Sequence, residues 1–144
     1  MTALTEHFSL EEMTFSEAAA RHNISNQPDA ETIARLIIAA RGLERVRSLL
    51  REPVQVTSGY RSPAVNAIVG GAANSAHILG WAADFKSPFG DPFSVCQTIA
   101  ASELTFDQLI LEFGAWTHLS FDPRARRQVL TISQAGGTQQ GLHR

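Results

Sequence analysis

The sequence is poor in several features that would point to particular classes of protein. It has one cysteine, Cys96, so no disulfide can form within the chain, and no nearby histidine in sequence supports a catalytic thiol. The helical pattern around Cys96 instead predicts a small buried side chain. No apolar run approaches the roughly 20 residues of a membrane span. The N-terminal stretch MTALTEHFSL lacks the basic and apolar segments of a signal peptide. We therefore expect a protein that is made in the cytoplasm.

Positive charge is also scarce, and arginine carries almost all of it. Lys86 is the only lysine, and the formal net charge of the chain is −2. No broad basic field is available for nucleic acid, so we expect neither a nucleic-acid partner nor a membrane partner. Arg124, Arg126 and Arg127 form a local basic cluster, which we interpret as the solvated surface of a turn. We expect the protein to be a monomer.

The length and the apolar periodicity of the chain indicate one folded domain. Of its 144 residues, 44% are apolar and 18% are charged, which is enough for a core. Apolar residues recur every three or four positions in two segments, which predicts helices over residues 30–51 and 91–104. Alternating segments predict strands over residues 54–62, 81–87 and 126–133. The segments FDQLILEF and WTHLSFD, joined by a short glycine-containing turn, predict a hairpin.

This order of helices and strands indicates the fold class. Runs of strands with a hairpin, together with long helices, predict an α+β domain with a central, mostly antiparallel sheet flanked by helices. We place this single domain at residues 1–133. The remaining residues 134–144, QAGGTQQGLHR, contain glycine and glutamine without an apolar period. They are predicted to be disordered, with His143 solvated.

The predicted hairpin places polar side chains on one face of the sheet. Successive residues of a strand point to opposite faces, so Trp116 and His118 share a face. If residues 113–115 form the loop, Glu112 pairs with Trp116 and Ile110 pairs with His118. Glu112 and His118 are then diagonal neighbours on the same face. A carboxylate and an imidazole together on a half-buried sheet face require an explanation.

A second polar pair lies in the segment NSAHILGWAADF. A passage from loop to strand at Gly80 would let His77 and Asp84 converge, whereas an unbroken helix would hold them about 10 Å apart along its axis. With His118 they form a set of two histidines and one aspartate, which suits a catalytic zinc ion with water in the fourth position. Such a site keeps a charge of about +1, which lowers the pKa of the water towards about 7. Glu112 could then take the proton of that water.

Each of these residues also has an ordinary structural interpretation. A histidine in a glycine-rich loop can be a surface residue, and an aspartate at a strand can be a turn or cap partner. A histidine inside a hairpin strand can be a hydrogen-bonded core residue. The presence of all three beside an inward-facing glutamate favours the metal site.

Three motifs follow one another along the chain: SGYRSPAVN, SAHILGWAADF and WTHLSFDP. The second fits the pattern S-x-H-x-x-G-x-A-x-D through Ser75, His77, Gly80, Ala82 and Asp84. The third fits the pattern W-x-H through Trp116 and His118. Together the motifs resemble the D-alanyl-D-alanine peptidases, the zinc metallopeptidases of peptidase family M15, especially small members among phage lysis enzymes. The resemblance runs from about Phe8 to Pro123. It implies a Hedgehog/DD-peptidase-like α+β fold.

The resemblance implies a role for each matching residue. His77, Asp84 and His118 match the ligands of a single zinc ion. Arg61, in GYRS, matches the arginine that holds a substrate carbonyl or carboxylate and steadies the oxyanion, where developing negative charge suits a guanidinium. Ser75 matches a serine that contacts the substrate. Two structural alternatives stay open: Arg61 could pack on the neighbouring tyrosine, and Ser75 could cap its loop.

The general base is the least regular part of the resemblance. Many relatives place an acidic residue three positions before the last ligand, where this chain has Ala115. Glu112 lies six positions before His118, as in the Hedgehog-like branch of the superfamily. The strand argument independently puts Glu112 on the same face as His118, so we assign it as the base. The alternative is that Glu112 is structural and that Asp107 or a bound-water network does this work.

The resemblance implies a zinc-dependent peptidase that hydrolyses peptide bonds in peptidoglycan stem peptides and so lyses the cell wall. Two alternatives stay open: a zinc-stabilised module that binds wall peptides or a protein partner without turnover, and a virion component that opens the wall. Without a signal peptide, an endolysin would reach the wall through a holin-type permeabilising partner. The sequence leaves open whether the enzyme is a carboxypeptidase, which needs a closed pocket, or an endopeptidase, which needs an open groove.

Overall fold

The computed structural model describes all 144 residues and contains six helices and six strands. The helices are α1 (Leu10–Thr14), α2 (Glu17–Arg21), α3 (Ala30–Leu50), α4 (Pro63–Ile68), α5 (Ala76–Leu79) and α6 (Pro92–Ala100). The strands are β1 (Gln55–Ser58), β2 (Ala82–Lys86), β3 (Gln108–Glu112), β4 (Trp116–Ser120), β5 (Gln128–Ile132) and β6 (Thr138–Gln140). None of the helices combines the length and the apolar character that a membrane crossing requires.

All six strands form one sheet with the order β1-β2-β4-β3-β5-β6. Neighbouring strands are antiparallel except β3 and β5, which run parallel. The predicted hairpin is confirmed in its register, because Glu112 pairs with Trp116 and Ile110 pairs with His118. The predicted class, a single α+β domain with a mostly antiparallel sheet flanked by helices, is also confirmed.

Helix α3 forms where the apolar stripe predicts it. Asp29 caps its first turn by accepting a hydrogen bond from the backbone N–H of Thr32 at 2.8 Å, and Arg51 ends it in a left-handed conformation. The buried stripe packs with α6 and α1 against one face of the sheet. Gly42 permits a close approach, because a Cβ at this position would overlap the ring of Phe121. The helix therefore covers the sheet over its apolar face.

The two faces of the sheet differ in chemistry. One face contributes apolar side chains to a core of 20 buried residues, among them Ala83, Phe85, Leu109, Leu111, Leu119 and Phe121. Cys96 lies in the same core, and burial raises the pKa of its thiol to about 11. Because side chains alternate along a strand, the intervening residues Asp84, Ile110, Glu112 and His118 point to the opposite face. The functional candidates from three different strands therefore share one surface.

The C-terminal residues differ from the sequence-based expectation. Residues 134–144, predicted to be disordered, contain β6, which pairs antiparallel with β5 and extends the sheet beyond the expected domain end at residue 133. Arg144 forms an ion pair with Asp91 at 3.0 Å, and its guanidinium lies 4.2 Å from the ring centroid of Phe93. Backbone pairing and a terminal ion pair hold this segment, and neither depends on the apolar periodicity from which the expectation was drawn.

The basic cluster also has more specific contacts than a solvated turn. Arg126 donates to both carboxylate oxygens of Asp107, from Nε to Oδ1 at 2.8 Å and from Nη2 to Oδ2 at 2.9 Å. Arg127 donates to the carbonyl oxygens of Leu104 and Ser102. These arginines anchor the loop before β5 to the segment that leads into β3.

Candidate metal centre and active site

Asp84 and His118 lie opposite each other on neighbouring strands. The register of β2 and β4 makes them direct partners on the polar face of the sheet. His118 Nδ1 is 3.0 Å from Asp84 Oδ1, and the two side chains are only 8% and 9% exposed. The sheet thus buries an imidazole against a carboxylate at its centre.

His77 reaches the same point from a helix end. Ser75 caps α5, and Gly80 ends it in a left-handed conformation, with φ +89°, that turns the chain into β2. A side chain at Gly80 would be strained in this conformation and would crowd Thr32. His77 Nε2 lies 3.3 Å from Asp84 Oδ1. The two residues therefore converge across Gly80, as the sequence predicts.

A backbone carbonyl fixes the tautomer of His77. The carbonyl oxygen of Gly59 can only accept, so His77 Nδ1 carries the proton and donates to it at 2.7 Å. Burial lowers the pKa of His77, against the opposing effect of the Asp84 charge, and so favours the neutral ring. Its Nε2 lone pair faces the Asp84 carboxylate at 3.3 Å. Two electron-rich atoms at this distance form a favourable arrangement only around a cation.

The donor atoms of His77, Asp84 and His118 all lie within 4.8 Å of one another, and all three residues are buried. Neighbouring ligand atoms of a tetrahedral zinc ion are about 3.3 Å apart when the metal–ligand bonds are about 2.0–2.1 Å. Asp84 Oδ1 lies 3.3 Å and 3.0 Å from the two histidine nitrogens. Two imidazoles and one carboxylate are also a donor set typical of catalytic zinc. The residues therefore fit this metal.

The ionised carboxylate of Asp84 favours positive charge at the centre of the group. Burial raises the pKa of Asp84, but its contacts with the two histidines outweigh burial, and the net pKa lies well below the ordinary value. For His118, burial lowers the pKa, but the hydrogen bond to Asp84 and nearby negative charge outweigh it, and the net shift is upward. An ionised carboxylate held between two imidazoles attracts a positive ion.

Glu112 lies next to this group, on the same face. Its Oε1 is 3.7 Å from His118 Nδ1, and its side chain is 18% exposed. Burial and then the charge of Asp84 raise the pKa of Glu112, against the opposing effects of His118 and Arg61. A carboxylate whose pKa is raised is suited to accept and return a proton. The position of Glu112 on this face is the one that the strand pattern predicts.

Asp107, the other carboxylate considered as a base, has a different environment. Both of its oxygens accept hydrogen bonds from the guanidinium of Arg126, and Oδ1 also accepts from the backbone N–H of Arg126. These hydrogen bonds lower the pKa of Asp107 against the effect of burial. A carboxylate that is saturated with charged donors is a poor proton acceptor, so the geometry favours Glu112 over Asp107.

Arg61 and Ser75 contact each other at the edge of the site. Arg61 Nη2 donates to Ser75 Oγ at 3.3 Å, and the same oxygen accepts from the backbone N–H of His77 at 3.2 Å. Ser75 therefore caps α5, and it also lines the groove described below. Tyr60 belongs to the core, whereas Arg61 lines the groove, so packing on Tyr60 does not account for the guanidinium.

A groove of about 960 Å³ crosses the polar face of the sheet. Its walls come from strands β1 to β5 and from the segment 69–76, and His77, Asp84 and His118 lie within it. One buried N–H group in its lining, Arg61 Nε, has no acceptor. Buried donors without partners are rare in folded proteins, and this one marks where an acceptor on a bound molecule would lie. The side chain of Trp116 lies beside Glu112 and acts against the rise in the pKa of that carboxyl group.

Sequence reasoning missed two groups that organise the site. The carbonyl of Gly59 orients His77, but a backbone oxygen has no residue-type signal. Asn26 is buried and contacts the backbone beside Arg61, yet in the sequence it reads only as part of a polar turn. Long-range hydrogen bonds of this kind become visible only in three dimensions.

A family model for Peptidase M15 matches residues 6–120, which is most of the chain. The match includes Arg61, the three clustered donors and Glu112. The chain therefore belongs to the Peptidase M15 family, and the family implies a hydrolase that cleaves peptide bonds. No curated protein matches the chain.

Proposed function

We propose that this protein is a zinc-dependent peptidase that hydrolyses peptide bonds in peptidoglycan stem peptides. The observation that carries the proposal is the meeting of three buried donor atoms, those of His77, Asp84 and His118, beside Glu112 in a single groove. The unprotonated nitrogen of His77 that faces the Asp84 carboxylate supports a cation at this point. Family membership supports a peptide as the substrate.

His77, Asp84 and His118 would hold one zinc ion, and the rest of the chain would keep them in position. The Gly59 carbonyl fixes the ring of His77, as hydrogen-bonded groups behind metal ligands commonly do. When bound, zinc polarises a carbonyl and lowers the pKa of a water molecule from its bulk value to about 7. Glu112 is a carboxylate beside these ligands that forms no ion pair with an arginine.

Glu112 moves the proton in this proposal. Its carboxylate accepts a proton from the attacking water, and the protonated acid then donates it to the amine of the leaving peptide. Glu112 Oε1 lies 3.7 Å from His118 Nδ1, so Glu112 is beside the proposed ligands but is not one of them. One group thereby serves as base and acid in a single turnover.

Arg61 supplies a donor to the substrate. Its Nε–H is buried and has no acceptor within the protein, and the side chain lines the groove. The Arg61 guanidinium suits the oxygen that gains negative charge during attack. This donor is held in place before the substrate arrives.

The lining of the groove supports cleavage within a peptide. Two of the three donors, Asp84 and His118, lie on β2 and β4, and the groove continues to β1 on one side and to β3 and β5 on the other. Peptide residues could therefore bind on both sides of the scissile bond, as an endopeptidase requires. Mass spectrometry of defined muropeptides after digestion tests this directly. Internal cleavage is expected, whereas removal of only the terminal residue would identify a carboxypeptidase.

The ligand set has its own test. His118→Ala should lose stoichiometric zinc, measured by metal analysis after dialysis, because two donors cannot replace three in a buried site. Glu112→Gln is the matched control and should retain one zinc ion per chain. Retention of zinc at wild-type affinity by His118→Ala would rule out the proposed ligands.

We further propose that the protein reaches the wall through a permeabilising partner, as an endolysin does. Mass spectrometry of purified phage particles separates this from the alternative of a virion component. A zinc-loaded protein that releases no amines from several wall chemotypes would instead be a binding module.

A further inference from the structure

Arg61 lies in a segment without regular secondary structure. Residues 59–62 connect β1 to α4 and belong to neither a helix nor a strand. The backbone N–H of Arg61 donates to the carbonyl of His77 at 3.2 Å, and that of Tyr60 donates to the carbonyl of Met13 at 2.7 Å. The carbonyl of Tyr60 and the N–H of Ser62 form no hydrogen bond with another backbone group.

The side chain of Asn26 binds both of these groups. Its Nδ2 donates to the carbonyl of Tyr60 at 2.9 Å, and its Oδ1 accepts from the backbone N–H of Ser62 at 2.7 Å. The second hydrogen of Nδ2 goes to the carbonyl of Thr14 at 2.8 Å. Asn26 is only 8% exposed. A buried amide thus holds the peptide groups immediately before and after Arg61 and ties them to the end of α1.

We propose that Asn26 is a positioning residue for Arg61, which fixes the backbone on both sides of the arginine so that its guanidinium faces the groove. The inference rests on the proposed function, because it assumes that Arg61 acts on the substrate. The position is 35 residues from Arg61 in sequence and does not line the groove, so Asn26 acts through Arg61 and not on the substrate.

The chemistry of the contacts requires an amide. Two carbonyl oxygens need donors and one N–H needs an acceptor, and a carboxamide offers both at one side-chain end. Aspartate would keep the acceptor for Ser62 but would place negative charge against the carbonyls of Thr14 and Tyr60. An apolar residue would leave all three groups buried without partners.

A double-mutant cycle tests the inference. We expect Asn26→Ala to lower kcat/KM for a defined stem peptide by about tenfold or more when Arg61 is present, because a misplaced guanidinium loses transition-state contacts. In the Arg61→Ala background the same change should cost no more than about twofold. Equal losses in both backgrounds would overturn the proposal, since Asn26 would then act independently of Arg61.

Two controls separate positioning from general destabilisation. Thr131→Val removes a buried hydroxyl group that bonds two backbone groups, but Thr131 lies on the opposite face of the sheet, so kcat/KM should stay within about twofold of wild type. Zinc affinity should be unchanged in Asn26→Ala. Loss of zinc affinity would mean that Asn26 supports His77 through Gly59, which would refute the assignment to Arg61.

A readout independent of activity keeps this inference distinct from the proposed function. Hydrogen exchange of the Ser62 amide should be slow in the wild type and at least about tenfold faster in Asn26→Ala. If Asn26→Ala does not fold, Asn26→Ser should show the same acceleration and the same coupling to Arg61. Unchanged exchange in a folded variant would contradict the inference. Full activity of Arg61→Ala would instead remove the role proposed for Arg61.

Discussion

Strand β3 has a carboxylate at each end, buried at Asp107 and half-buried at Glu112, and the two carboxylates have opposite environments. Asp107, just before the strand, accepts the forked guanidinium of Arg126, which lowers its pKa. Glu112, the last residue of the strand, has no arginine partner and faces His118 and Asp84, and burial raises its pKa. The comparison indicates that the partner of a carboxylate, more than its burial, determines whether the group is structural or suited to reaction.

The largest expected effect is a loss of turnover on changing Glu112. Glu112→Gln keeps the shape of the side chain but removes its ability to accept a proton, so kcat should fall by about 100-fold or more. The free energy of unfolding and the zinc content should be close to wild type. Steady-state kinetics on a defined stem peptide measure the loss, and Glu103→Gln, which makes the same change at an exposed position, is the matched control. Wild-type turnover in Glu112→Gln would end its assignment as the base.

A change at Asp107 should instead lower the free energy of unfolding. Asp107→Asn removes the charge that pairs with Arg126 and replaces the acceptor of one guanidinium hydrogen bond with a donor, so we expect a loss of about 2 kcal/mol in the free energy of unfolding. Urea denaturation measures this loss. The fall in kcat should be much smaller than in Glu112→Gln. A kcat loss as large as that of Glu112→Gln, with normal stability, would erase the distinction between the two ends.

Low pH should weaken the ion pair between Asp107 and Arg126. The pKa of Asp107 is lower in the folded protein than in the unfolded chain, where it is about 3.9. Its contribution is therefore complete above about pH 5 and is lost as the pH falls through the folded-state pKa. The stability difference between wild type and Asp107→Asn should shrink between pH 5 and pH 3 on this basis, as measured by urea midpoints. A difference that grows in acid would contradict the ion pair.

The smallest effect should come from Arg126→Lys. Lysine keeps the positive charge but cannot donate the two parallel hydrogen bonds of the guanidinium to Asp107. The urea midpoint should fall by less than in Asp107→Asn, and zinc binding should be unaffected. A larger fall than in Asp107→Asn would indicate that Arg126 stabilises the loop through contacts other than this carboxylate.

Local sequence patterns predicted the register of the β3–β4 hairpin and the position of α3. The alternation of residues in the hairpin fixed the pairing of Glu112 with Trp116, because side-chain direction has a period of two. The apolar stripe likewise located α3, which spans Ala30–Leu50. Both predictions depend on contacts within short stretches of sequence. The expected convergence of His77 and Asp84 also followed from one local feature, the glycine between them.

Long-range contacts were beyond this reasoning. The parallel pairing of β3 with β5 and the antiparallel pairing of β6 depend on backbone groups that carry no residue-type signal. The partner of Asp107 is 19 positions away, so the sequence suggested a solvated turn for Arg126 and a possible base for Asp107. The candidate site was found from its donor types, but the groups that orient it, such as Asn26, needed the structure.

The central claim is that the polar face of the sheet hydrolyses peptides with one zinc ion. The most direct measurement is the release of free amines from purified peptidoglycan by the metal-depleted protein as zinc is added back. We expect no release without metal and full release at one zinc ion per chain. Release that is insensitive to a chelator, or none from any wall chemotype at full zinc occupancy, would contradict the account.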